Sequence, residues 1–138
     1  MDTSEVRELF DRDIAAASLG IKLVDCGEGH ATLSLTVNDS HLNFNGTCHG
    51  GVVFTLADAA FGLACNSHGP VAAAINANIG FHAATQKGET LTAVARETVR
   101  DKKLSTYDVT VRNEEDRIIA SFSGTSYITR RSHETPVD

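Results

Sequence analysis

With 138 residues, 41% of them hydrophobic and 22% charged, the chain is long enough for one globular domain with a core of its own. Its net charge of -6 argues against a general nucleic-acid binder, which needs a basic stripe. No stretch reaches the roughly 18 consecutive apolar residues of a membrane helix, and the charged start MDTSEVRELFDRD lacks a signal-peptide core, so a cytoplasmic protein is expected.

Residues 3–18 are predicted as a single helix, because Val6, Leu9, Phe10, Ile14 and Ala17 recur at the spacing of one apolar face. Gly20 is placed to end it. Residues 21–25 read as a short strand and residues 26–29 as a turn. In the next strand Ala31, Leu33, Leu35 and Val37 alternate with Thr32, Ser34 and Thr36, one face buried and one wet. Asn38-Asp39-Ser40 breaks that strand, and a loop over 41–48 leads into a helix over 50–66, about 25 Å long.

From Val52 to Cys65 this helix is apolar or small apart from Thr55 and Asp58, so the rest of the chain should wrap it. Asn66-Ser67-His68-Gly69-Pro70 ends it. Strands follow near 71–84, 89–100, 104–113 and 116–129, joined by connections short enough for hairpins. In the third of them Tyr107, Val109 and Val111 face one way and Thr106, Asp108, Thr110 and Arg112 the other. The tail from Ser132 to Asp138 reads as loose. The expected fold is α+β, a single domain over residues 1–138 in which a strongly curved antiparallel sheet of five or six strands cups one long helix.

Two features of that helix carry chemistry. At His49-Gly50-Gly51 the backbone N–H groups have no intrahelical acceptor and the helix dipole favours negative charge, so this end can hold an anion or an oxyanion on a carbonyl. Glycine there lets a ligand approach the backbone closely. His49 reads either as a structural hydrogen-bonding residue or as a proton-transfer group. Asp58 can serve as general base or nucleophile, or as a buried structural acid. About 12 Å of helix axis separates Gly50 from Asp58, too far for one carbonyl to meet both in one chain. A two-fold dimer that sets one helix start beside the other chain's Asp58 solves the problem.

Other constellations are weaker. Cys26, Cys48 and Cys65 are odd in number and lack CxxC spacing, so neither a disulfide framework nor a zinc knuckle is suggested. The remaining histidines, His30, His41, His68, His82 and His133, lack metal-site spacing, so no metal is expected. Eight of the twelve Lys and Arg fall between Arg96 and Arg131. They are either a site for an anionic ligand or solvated strand ends.

From Asn43 to Gly69 the chain reads NxxGxxHGGxxFxLADxAFxxAxNSxG, which closely resembles the hotdog-fold acyl-CoA thioesterases, in particular their phenylacetate-degradation (PaaI-like) branch. Lys102 to Asp108 and Ile118 to Tyr127 resemble that branch's last two strands. The resemblance implies that Asp58 is the catalytic carboxylate, that the Gly50 N–H polarises the thioester carbonyl, that Asn43 positions water or substrate, and that His49 supports the loop. It implies an acyl pocket lined by Phe54 and Phe61, with Gly51 beside it, and CoA phosphates held by Arg100, Lys102 and Lys103, with Arg130 a further candidate. Family dimers share a continuous sheet, often pair into tetramers, and place Asp58 opposite Gly50 of a second copy.

The chain departs from the family in having no hydroxyl over Val71 to Ile75 and no proline over residues 82–88. The activity implied is hydrolysis of acyl-CoA, with aromatic acyl groups such as phenylacetyl expected. No metal or redox cofactor is needed, coenzyme A being part of the substrate. Two competing readings are a hotdog-fold dehydratase or hydratase, which would yield enoyl products, and a non-catalytic acyl-CoA binding protein.

Overall fold

The computed structural model of the chain describes residues 1–133. Asp2 opens α1 (Thr3–Asp11) with a capping box, accepting from the Glu5 N–H while the Glu5 carboxylate accepts from the Asp2 N–H. The single helix predicted over 3–18 is in fact two. Asp13 sits in extended backbone, takes the Ala16 N–H and starts α2 (Ile14–Leu19). This break shifts the helical phase, so Val6 and Ala16 are buried while Ile14, assigned by periodicity to the apolar face, is 82% exposed. Gly20 ends α2 at a φ of 79°, the left-handed cap that glycine adopts without strain.

Six strands follow: β1 (Lys22–Gly27), β2 (His30–Thr36), β3 (Pro70–Phe81), β4 (Thr90–Arg100), β5 (Leu104–Arg112) and β6 (Ile118–Ser132). They form one antiparallel sheet in the order β1-β2-β4-β5-β6-β3. Bulges in β1, β3 and β4 bend it around α3 (Gly50–Cys65). Leu33, Leu35, Leu91, Val109, Val111, Ile119 and Phe122 line the concave face, and Leu56, Ala57, Ala60, Phe61 and Ala64 of α3 pack into it. This is the hotdog architecture expected from the sequence.

A tight seat lies under Phe61, which is fully buried against Tyr107 and Phe122, with ring centroids 5.8 and 5.7 Å away. A Cβ added at Gly124 would lie 2.8 Å from that ring. Gly124→Ala is therefore expected to lower the unfolding free energy by about 1–3 kcal/mol through overpacking, measured by urea denaturation. An unchanged midpoint would mean that the ring has room to move.

Two of the expected hairpins are present, β4 with β5 and β5 with β6. The third is not. β3 pairs with β6 at the sheet's far edge, and β4 lies between β2 and β5. Residues 82–89 cross between them past the start of α3. They are held by the Cys48 N–H to the Thr85 carbonyl at 2.9 Å and the Gly88 N–H to the Val37 carbonyl at 2.8 Å. Eight extended residues reach roughly 26 Å, enough for that crossing, so a short linker did not require a tight turn.

At the chain's end, Ser132 closes β6 and the His133 N–H donates to the Gly69 carbonyl at 2.9 Å, so the tail's first two residues are held in place. The rest of the tail lies outside the described residues. Among those described, no helix is long and apolar enough to cross a membrane.

Candidate active site

The start of α3 is built by two histidines. His41 is 1% exposed. Its Nδ1 accepts from the Asn38 N–H at 3.0 Å, so its Nε2 carries the proton and donates to the Leu19 carbonyl at 2.8 Å. The His41 carbonyl then takes the His49 N–H at 2.8 Å, which anchors the helix start to the core. Between the two, Asn43 organises the loop, its Oδ1 accepting from the Asn45 and Thr47 N–H groups and the Thr47 hydroxyl. The Asn43 Nδ2 protons have no acceptor among the described residues.

His49 caps α3. Its Nδ1 accepts from the Gly51 N–H at 2.8 Å, which ties up that amide and makes the ring a capping group. The Gly50 N–H has no acceptor among the described residues. It opens on a cavity of about 330 Å³ bounded by Cys48, Val53, Phe81 and Thr85 among others. Burial raises the Cys48 thiol above its ordinary value.

Asp58 lies two turns further along α3, half-buried and with no hydrogen-bond partner among the described residues. Burial raises its carboxyl above the usual carboxylate range, and the charge of Asp13 raises it further. It opens on a second cavity, about 280 Å³, lined by Leu9, Phe10, Asp13, Leu63, Asn66 and His133 among others. The two cavities have no residue in common. Eight helical residues turn the chain by roughly 80° beyond two full turns, so Gly50 and Asp58 face different ways.

Asn66 and His133 form the far wall of the Asp58 cavity. The Asn66 Oδ1 accepts from the Ala72 N–H at 2.8 Å and from His133 Nε2 at 2.7 Å, which makes Nε2 the protonated ring nitrogen. Burial, and then the charges of Arg12 and Arg131, lower the His133 pKa. No local pattern singles out Asp13 or His133, because each is brought to the Asp58 cavity by packing between distant segments. Asn66 could have been found, since it stands in the NSxG end of the motif.

The other predicted residues are placed as follows. Phe54 is half-buried and edge-on to Phe122, with centroids 5.5 Å apart. Phe61 is fully buried in the core and lines neither cavity. Gly51 is exposed, its N–H taken by His49. Arg100, Lys102 and Lys103 are exposed around the β4–β5 turn, which Asp101 closes by accepting from the Lys103 and Leu104 N–H groups, and they border neither cavity. Among the described residues no group of three or more His, Cys, Asp or Glu side chains is placed to hold a metal ion.

Comparison with known proteins bears on this arrangement. Residues 45–120, more than half of the chain, match the thioesterase superfamily. The chain is 38% identical to the acyl-coenzyme A thioesterase PaaI of Escherichia coli strain K12 over 119 residues, 86% of this chain and 85% of that protein. The solved structure of E. coli PaaI, a protein of the phenylacetic acid degradation operon, superposes with a TM-score of 0.90 at 35% identity and covers 94% of both chains. A Streptococcus mutans protein solved with acetyl-CoA bound superposes at 0.76 with 30% identity, covering 79% of this chain and 88% of that one. A match over most of the domain, with relatives of this identity spanning nearly all of it, makes the chain a PaaI-like member of the thioesterase superfamily and a hydrolase of thioester bonds.

Proposed function

We propose that the chain hydrolyses acyl-CoA thioesters, with aryl acyl groups of the phenylacetyl type preferred, at a site shared by two copies of the chain. The observation that carries this reading is the separation of the unpartnered Gly50 N–H and the half-buried Asp58 into two cavities on one helix. In a two-fold pair, the Gly50 N–H of one copy polarises the thioester carbonyl that faces Asp58 of the other. The Asp58 carboxylate takes a proton from water as that water attacks the carbonyl carbon, or attacks the carbon itself to give an anhydride that water then opens. In the first route the tetrahedral intermediate collapses, the carbon–sulfur bond breaks and Asp58 passes its proton to the departing CoA thiolate. In the second the carbon–sulfur bond breaks and the thiolate leaves as the anhydride forms, and the water that opens the anhydride supplies the proton that neutralises it.

The remaining residues take supporting roles. The free Nδ2 protons of Asn43 orient the water or the substrate, and His49 acts by holding the helix start. Leu9, Phe10 and Leu63 in the Asp58 cavity face the acyl group, Phe54 and Phe61 pack against Phe122 rather than lining that cavity, and Gly51 leaves room beside the carbonyl. Arg100, Lys102 and Lys103 supply cations for the CoA phosphates. The relatives support the substrate class: one is an acyl-CoA thioesterase and another binds acetyl-CoA.

The dimer surface in this reading is the outer edge of β3. That edge strand carries no charged residue, the usual guard against edge pairing, and Ile75 and Phe81 stand 60% and 54% exposed along it. Two β3 edges pairing would continue the sheet across the dimer, and two such dimers pair into the tetramer that the family resemblance implies. The test is a panel of acyl-CoA thioesters read by free-thiol release, with light scattering for the assembly. Thiol release greatest for aryl acyl groups, from a dimer or tetramer, is the expected result. Enoyl products or a fully active monomer would overturn the proposal.

A further inference from the structure

We propose that Asp13 is a specificity-determining residue that keeps acyl groups bearing a negative charge out of the Asp58 cavity. The inference rests on the thioesterase reading above and names the class of acyl group the site accepts. Asp13 and Asp58 line the same cavity from different elements, the start of α2 and the middle of α3. The Asp13 carboxylate is held in place, because its Oδ1 accepts the Ala16 N–H at 3.0 Å as the α2 cap. Neither carboxylate has an ion-pair partner among the described residues.

The rest of the lining supplies no cation to offset them. Leu9, Phe10 and Leu63 are apolar, Asn66 is neutral, and His133 is pushed toward its neutral form by burial and by Arg12 and Arg131. Its Nε2–H is already committed to Asn66. Arg12, although next to Asp13 in the chain, lines an adjoining groove together with Glu5 and Glu8. The charge of Asp13 reaches the reacting carboxyl, where it adds to the effect of burial. A carboxylate on the acyl chain would be the third negative charge in a cavity of about 280 Å³, while an uncharged chain meets apolar walls.

The test compares kcat/KM for hexanoyl-CoA and adipoyl-CoA, acyl groups of equal length without and with a terminal carboxylate. Wild type should prefer hexanoyl-CoA by at least about tenfold, and Asp13→Asn should narrow that preference by about tenfold. Asparagine caps a helix as well as aspartate, so α2 is kept; Asp13→Ser, also a strong uncharged cap, replaces it if the first variant does not fold. Asp13→Glu, which keeps the charge, should retain the discrimination. Equal turnover of both thioesters by wild type, or the same ratio in the uncharged variant, would overturn the inference. No turnover of any acyl-CoA by wild type would instead sink the thioesterase reading itself, and this inference with it.

Discussion

Asp58→Asn is expected to lower turnover of acyl-CoA by about 10²–10⁴-fold while substrate binding, read by calorimetry, survives. The amide fills the same volume but can neither take a proton from water nor attack a carbonyl. Stability should move the other way. Burial and Asp13 raise the Asp58 carboxyl, so the folded state favours its protonated form. The stabilisation linked to that proton is lost as pH rises through the raised folded value. At neutral pH the variant, with no charge to bury, should melt at or above wild type, a trade of activity for stability. The acid limb of the wild-type pH–rate profile should lie above the usual carboxylate range for the same reason. Undiminished hydrolysis by Asp58→Asn would remove the residue from the mechanism.

Gly50→Pro is expected to cost about 10²–10³-fold in kcat with the fold retained, because it deletes one backbone donor and little else. Gly50 is the first residue of α3, where proline is tolerated since that N–H has no helical acceptor. His49 already has a ψ of 133°, the extended setting a residue before proline requires. An added Cβ would come 3.3 Å from the Phe81 ring, a contact that a shift of a few tenths of an ångström relieves. Gly50→Ala carries the same Cβ but keeps the N–H, so it should lose far less activity and separates crowding from the missing donor.

The pair of variants also tests the shared site. Co-refolded in equal amounts, Asp58→Asn and Gly50→Pro form mixed dimers in which one site carries both defects and the other none. About a quarter of wild-type activity should then return if partners exchange at random. A mixture no more active than its components would mean that each site is built from one chain.

Several elements are legible in the sequence because their cause is local. The β2 and β5 alternations and the long apolar run of α3 each depend on neighbouring residues, and each appears within a few positions of its expected bounds. Gly50 at the start of α3 and Asp58 within it can be read the same way. The break at Asp13 was not anticipated, because a capping side chain competed with an apolar periodicity that ran on through it. The course of β3 was not anticipated either: a short linker suits a hairpin, and only pairing with β6 shows otherwise.

By itself the sequence determined the helix, the strands, the family motif and the pair of groups that suggests a reaction, since periodicity, capping and glycine placement act over a few residues. Only the tertiary structure decided what surrounds Asp58. Asp13 reaches its cavity through the N-terminal helices, and His133 arrives from the end of β6 through a hydrogen bond to Asn66. Those contacts join segments far apart in the chain, and the charge balance they create depends on packing that no local pattern encodes.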